Sequence, residues 1–277
     1  MVGTSATLDT TICSLFEFAP RLKLVQCLGA GIEKIPLDSI RAAGVTLADA
    51  SGSNSVPVAE HAFALLLAVA KRVVEKDREM KKGVWNRTPG VEVQGLTHVI
   101  LGLGAVGTEL ARRSSAFGMK VIGIRKHPER GTPVQGCEVY GIEDLHGSLP
   151  RAEFLTVALP LTSETRGLIG KGEFALMKRT ASIVIVSRAA VVDEEALYRA
   201  LVERRISYAA IDTWYSLPPS APSRYSIEKL DNVIATPHIG GITTETVYRV
   251  FSIVSQNIDN LAAGRDLLNV VDLDLGY

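Results

Sequence analysis

The sequence predicts an α/β protein whose larger part is a doubly wound parallel sheet and whose smaller part is a second α/β unit. Three observations carry this prediction. From Val99 onward, short β-branched runs alternate with helix-patterned stretches, the layout of parallel strands joined by crossover helices. Those runs are apolar on both faces, as strands covered on each side must be. The first of them, Val99-Ile100-Leu101, leads straight into a Gly-x-Gly-x-x-Gly run and then a helical pattern.

In chain order, residues 22–28 and 45–48 read as strands flanking a helix-like 37–43. A helix opened by Pro57 is expected over 58–75. Strands are expected at 99–101, 121–124, 154–158, 183–186, 208–211 and 233–236. Between them, 106–117, 171–177 and 193–202 repeat apolar residues at the three- and four-residue spacing of a helix resting on a sheet. A last helix runs over 243–263, with Thr243 as N-cap and Gly264 as its stop. The C-terminal 267–273 is expected to return to the first unit. The division is therefore 1–54 with 239–277 against 55–238, and the chain crosses between the units twice.

Hydrophobic residues make up 47% and charged residues 22% of the 277, so the chain can bury a full core. Thirty basic residues balance thirty acidic ones, which argues against nucleic acid or an anionic membrane and for a small-molecule partner. Cys13, Cys27 and Cys137 are too widely spaced for a disulfide framework or a zinc site. The start lacks a signal peptide and the most apolar run, 62–70, is too short to span a bilayer. A cytoplasmic protein without a metal is expected.

The glycine run has a physical reading in which each glycine has a task. Gly102 permits the tight turn, Gly104 lets backbone at Ala105 and Val106 approach a pyrophosphate, and Gly107 lets helix and strand pack closely, the signature of a Rossmann domain. Where an NAD enzyme would end its second strand in a carboxylate, this chain has Arg125 and Lys126. A guanidinium can bind a 2′-phosphate that a carboxylate would repel, so NADP is favoured over NAD.

Three separated stretches then resemble one family: Gly102-Leu-Gly-Ala-Val-Gly-Thr-Glu-Leu-Ala-Arg-Arg113, Leu159-Pro-Leu-Thr-Ser-Glu-Thr-Arg-Gly-Leu-Ile169 and Thr236-Pro-His-Ile-Gly-Gly241. They are similar to the D-isomer-specific 2-hydroxyacid dehydrogenases, and Ala19-Pro-Arg-Leu-Lys23, Val58-Ala-Glu-His61 and Gly83-Val-Trp85 extend the resemblance over nearly the whole chain. The resemblance implies a Rossmann cofactor domain beside a flavodoxin-like substrate domain. It implies hydride transfer between NAD(P)H and a small 2-keto acid of the glyoxylate or hydroxypyruvate kind, and a homodimer. Arg188 matches the arginine that grips the substrate carboxylate, and His238 the acid–base residue. Gly29, Ala30 and Gly31 match a loop whose amides hold the substrate, and Asn54 a further substrate contact. Pro160, Thr165, Ser187 and Asp212 match cofactor contacts.

The chain also departs from the family pattern. Leu217 stands where members carry the glutamate that pairs with the histidine, and Ile185 and Ala189 replace the asparagine and glycine around the arginine. Relatives carry another strand and helix before Val2-Gly3-Thr4, so the substrate domain reads as N-terminally shortened. His61, His98, His127 and His146 read as structural or solvated, Glu194 and Glu195 as helix caps, and the apolar residues near Trp214 and Leu217 either as the lining of a drier pocket or as buried packing. These departures leave two other readings open: a nucleotide-binding regulator with little or no catalysis, and a formate- or phosphite-type dehydrogenase.

Overall fold

The computed structural model describes residues 16, 18–32, 35–132 and 134–274; Val2-Gly3-Thr4 and Cys13 lie outside the described residues. Contacts divide the chain into two units, Met1–Asn54 with Ile242–Tyr277, and Ser55–Gly241.

The larger unit holds a seven-stranded sheet in the order β5-β4-β3-β6-β7-β8-β9. Its strands are β3 (Thr97–Leu101), β4 (Lys120–Ile124), β5 (Glu138–Tyr140), β6 (Phe154–Val157), β7 (Ser182–Ile185), β8 (Tyr208–Ile211) and β9 (Val233–Ala235), and every pairing is parallel. Alternate residues of each strand enter opposite cores. Val99, Leu101, Ile122, Ile124, Leu155, Val157, Ile183 and Ile185 join one; Ile100, Val121, Phe154, Val184 and Ala210 join the other. This is why the strands read as continuous apolar runs rather than alternating ones. Helices α2 (Ser55–Ala70) and α4 (Ala105–Ala116) cover the second face through Leu66, Val69, Leu110 and Ala111. The helices α5 (Leu145–Ser148), α6 (Lys171–Leu176) and α7 (Glu194–Val202) cover the first through Leu145, Phe174 and Leu197.

Two elements differ from expectation. The helix expected over 58–75 is two helices, because it ends at Ala70 and restarts as α3 (Val73–Lys81). The Val91 amide crosses the end of α2 and donates to the Ala70 carbonyl at 2.7 Å. Arg72 takes the left-handed conformation, φ 55°, with its guanidinium over the Tyr208 ring. A long-range contact thus ends a helix that local periodicity would have continued. The strand β5 was not expected: three half-exposed residues at a sheet edge carry little apolar signal, and their pairing with β4 makes them a strand.

In the smaller unit β1 (Leu24–Gln26) pairs parallel with β2 (Thr46–Ala48), and α1 (Leu37–Ala42) packs Ile40 against Leu47 and Val271. The C-terminal stretch returns to β2, with the Val271 amide donating to the Leu47 carbonyl at 2.9 Å. The helix α8 (Thr244–Ala262) begins at Thr243, whose side chain accepts from the Thr246 amide, and stops before Gly264 at φ 66°. Asn257 of α8 joins the ends of this unit, donating to Gln26 Oε1 at 2.7 Å and accepting from the Leu268 amide at 2.7 Å.

One polar residue sits inside the apolar sandwich. His98 of β3 is fully buried between Ser114 Oγ of α4 and Thr156 Oγ1 of β6, each at 2.8 Å. Burial pushes its imidazole down to about 3. The unfolded chain takes up that proton near the ordinary value of 6.5, so stability is full above this value and declines as pH falls toward 3. Between pH 7 and pH 5 the loss through His98 is expected to be about 2 kcal/mol. Denaturant unfolding of native protein and of His98→Gln at both pH values checks this: the native protein alone should show the additional slope, and equal slopes would refute it.

Candidate active site

The chemistry-bearing side chains of the larger unit gather at the carboxyl ends of its strands, where open α/β sheets place ligands. The three glycines of the turn after β3 differ in what surrounds them. Gly102, at φ 109°, has no room for a side chain, since a Cβ would stand 2.8 Å from the Ala158 backbone beyond β6. At Gly107 a Cβ would fall 1.8 Å from the Gly102 carbonyl oxygen. At Gly104 the same atom would meet nothing within 4 Å. Two glycines therefore close the turn on itself and the middle one faces open space. Gly104 is also the N-cap of α4, with no side chain accepting from the first-turn amides. Those amides, which include Ala105 and Val106, are available to an anion. Gly123 of β4 makes room for the buried Leu103 side chain, which holds the turn down from below.

Arg125 and Lys126 leave β4 on the neighbouring loop. Arg125 is half-buried, and its Nη1 donates to the Gly131 carbonyl at 2.7 Å, while exposed Lys126 reaches Glu164 Oε2 at 3.2 Å. Both cations are thus tethered by the protein, a point residue identity alone did not reveal. Pro160 and Thr165 form the loop after β6, closed by the Thr165 hydroxyl donating to the Pro160 carbonyl at 2.8 Å.

Beyond β6, three adjacent strands deliver the remaining groups. After β7 come Ser187 and Arg188, after β8 Asp212, and after β9 His238. Neighbouring strands lie about 4.8 Å apart, and Asp212 leaves the sheet on the strand between those that lead to Arg188 and His238. Arg188 is half-buried, with Nη1 at 3.1 Å from the Ser187 carbonyl. The hydroxyls of Ser187 and Thr213 are buried without a hydrogen-bond partner among the described residues. Such orphans are the kind of deficit that a bound polar group corrects.

Asp212 is 2% exposed and its carboxylate collects donors from three directions. Oδ1 accepts from the Thr236 hydroxyl at 2.5 Å and the Ile239 amide at 3.0 Å, Oδ2 accepts from the Gly240 amide at 2.9 Å, and His61 Nε2 stands 3.3 Å from Oδ1. Burial alone would raise its pKa; the donors of His61, Thr236, Gly240 and Ile239 outweigh it and hold the carboxyl well below the usual carboxylate range. The carboxylate expected to face a cofactor is therefore engaged within the protein. His238 stands between these anchors at φ 57°, exposed, with no hydrogen-bond or ion-pair partner among the described residues.

His61, which reads in the sequence as structural or solvated, is structural: its Nε2 lies 3.1 Å from Thr236 Oγ1 and 3.3 Å from Asp212 Oδ1. Its position on α2, far from Asp212 in the chain, hid these partners. Two other readings of the sequence are corrected here. Leu217 is 49% exposed and so does not line a dry pocket; Trp214 is half-buried and donates from Nε1 to the Thr236 carbonyl at 2.9 Å. The cap of α7 is Asp193, which accepts from the Ala196 amide, while Glu194 accepts from the Arg224 amide and Glu195 from Arg199. In the smaller unit, Gly29, Ala30 and Gly31 form the loop leaving β1, and Asn54 is half-buried at the end of the segment after β2. Among the described residues there is no cluster of three metal-ligating side chains, and no helix is long and apolar enough to cross a membrane.

A parallel sheet with this glycine turn beside its switch point, between β3 and β6, defines a Rossmann-type dinucleotide-binding fold. The pattern of the D-isomer specific 2-hydroxyacid dehydrogenase NAD binding domain matches residues 63–240, and the chain belongs to that family. It is 36% identical over 263 residues to a D-3-phosphoglycerate dehydrogenase of Archaeoglobus fulgidus, covering 94% of this chain and 49% of that protein. It is 35% identical over 279 residues to a glyoxylate reductase of Aeropyrum pernix, covering 96% and 81%. The chain spans about half the length of the phosphoglycerate dehydrogenases that it matches. Among solved structures, a D-isomer specific 2-hydroxyacid dehydrogenase from Xanthobacter autotrophicus, in complex with NADPH and MES, superposes with a TM-score of 0.82 at 30% identity over 95% of this chain and 82% of that one.

The glycines yield a prediction that separates packing from binding. Gly107→Ala forces backbone apart and should cost at least about 1–3 kcal/mol, whereas Gly104→Ala, with open space and an ordinary φ of −80°, should stay within about 0.5 kcal/mol of native. Denaturant midpoints of both variants check this, and equal losses would contradict the assignment.

Proposed function

We propose that this chain is a nicotinamide-dependent oxidoreductase that interconverts a small 2-keto acid, of the glyoxylate or hydroxypyruvate kind, and a D-2-hydroxy acid. The observation that carries the reading is the delivery of Arg188, Asp212 and His238 by three adjacent strands to the same sheet edge as the Gly102–Gly107 turn. The names of the glyoxylate reductase and the phosphoglycerate dehydrogenase support the class of chemistry.

The residues present fit the cofactor. The open position at Gly104 and the uncapped start of α4 suit a pyrophosphate, and the orphan hydroxyls of Ser187 and Thr213 suit a polar headgroup. A bound nicotinamide supplies or accepts the hydride at the carbon bearing oxygen. The chain's residues do the rest: Arg188 holds the substrate carboxylate with its planar, always-charged fork. His238 gives a proton to the carbonyl oxygen in reduction and takes it back in oxidation. Asp212 fixes the His238 loop and stays ionised. Position 217 holds leucine, so no carboxylate from there pairs with His238.

NADPH is the preferred reductant in this reading, because two cations and no carboxylate end β4. Arg125 has donors left after binding Gly131, and Lys126 can exchange Glu164 for a phosphate. The NADPH of the Xanthobacter structure is consistent with this choice. The protein acts as a homodimer in this reading.

Oxidation of NADPH and NADH against glyoxylate, hydroxypyruvate and pyruvate tests the proposal. NADPH should give the higher kcat/KM, and His238→Ala and Arg188→Ala should each lower turnover by about a hundredfold or more. Gly104→Ala should weaken NADPH binding in a protein of native stability. Cofactor binding without turnover on any keto acid would instead assign the chain to the non-catalytic regulators.

A further inference from the structure

We infer that His61 is a positioning residue for the loop that carries His238; this rests on the reading of His238 as the acid–base group. The loop 236–240 has anchors on both sides of His238. Thr236 gives its hydroxyl proton to Asp212 Oδ1 at 2.5 Å, and the amides of Ile239 and Gly240 donate to Oδ1 and Oδ2. Because the Thr236 hydroxyl is a donor to Asp212, its oxygen is left to accept, and the group aimed at it is His61 Nε2 at 3.1 Å. The hydrogen-bond network assigns the Nε2–H tautomer to His61, with its proton shared between Thr236 and Asp212. Neighbouring Glu60 turns the other way, to Arg113 Nη2 at 3.0 Å, so Asp212 is the carboxylate that the imidazole meets.

The ring is a wall as well as a donor. A Cβ on Gly240 would stand 3.1 Å from His61 Cδ2 and 3.4 Å from His61 Cβ, so the loop backbone lies directly against the imidazole. Holding it there matters because His238 occupies the left-handed region, at φ 57°. That conformation is unfavourable for a non-glycine residue and persists only where surroundings over-determine it. Its own side chain has no hydrogen-bond or ion-pair partner among the described residues, so the backbone anchors are what fix the point from which the imidazole swings. His61 links the rigid helix α2 to those anchors. Without it, Thr236 Oγ1 and Asp212 each lose a donor and Gly240 loses its support.

The test compares two amides of different reach. Glutamine at position 61 brings a donor to about the place of Nε2, whereas asparagine stops short of it. With His61→Asn, kcat for the keto acid should fall about tenfold to a hundredfold while its KM and the NADPH Kd move less than about threefold, because misplacing a reacting group by about 1 Å costs turnover rather than binding. With His61→Gln, kcat should return to within about threefold of native. Without cofactor, hydrogen exchange at the Ile239 and Gly240 amides should quicken by about tenfold or more in His61→Asn and stay near native in His61→Gln. Native kcat in His61→Asn, equal loss in both variants, or unchanged amide exchange would each overturn the proposal. His238→Ala is the control: if it leaves turnover intact, the acid–base reading fails beneath the proposal. If it abolishes turnover while His61→Asn behaves as native, the positioning role alone is wrong.

Discussion

The Asp212 carboxylate is the constraint on which the arrangement of the site depends. An ionised carboxylate that is 2% exposed is tolerable only if its lone pairs are met. This chain meets them with the Thr236 hydroxyl, the Ile239 and Gly240 amides and His61. Satisfying the charge therefore fixes a loop. β8 ends where Asp212 needs donors, β9 ends where Thr236 and the loop amides can supply them, and His238 is carried between as a strained residue. A demand of electrostatics thus becomes a positional specification for a residue whose side chain has no hydrogen-bond or ion-pair partner among the described residues.

The same logic operates at the glycine turn with packing in place of charge. Gly107 lies so close to the Gly102 carbonyl that a methyl group would overlap it, and Gly102 lies against the backbone beyond β6. The turn is closed by contacts that only hydrogen atoms permit, and it leaves Gly104 open at the start of α4. Both devices need a sheet that does not shift beneath them. The two apolar faces supply this rigidity, with His98 tied to α4 and β6 inside one of them.

Much of this was legible in sequence because it is written in local patterns. Ile183 to Ile185 and Leu155 to Val157 are apolar throughout because helices cover both faces, so their strands declared themselves. The glycine spacing marked its own strand and helix. Lys126 and Arg125 were legible as charges but not as tethered charges, since Glu164 and the Gly131 carbonyl reach them only through loop conformation. Glu138 to Tyr140 stayed hidden because an edge strand of three residues owes its existence to the neighbour it pairs with.

The sequence by itself determined the parallel sheet, the glycine turn, the identity of Arg188 and His238 and the absence of a glutamate at Leu217, because periodicity and residue type are local properties of the chain. The tertiary structure alone decided three things: that α2 ends at Ala70, that the Asp212 carboxylate is engaged by the protein, and that His61 stands beside it. Each depends on groups distant in sequence, as when the Val91 amide meets the Ala70 carbonyl or His61 meets Thr236. No local pattern records such a meeting, because a hydrogen bond needs its partners within about 3 Å in space and sets no limit on their separation along the chain.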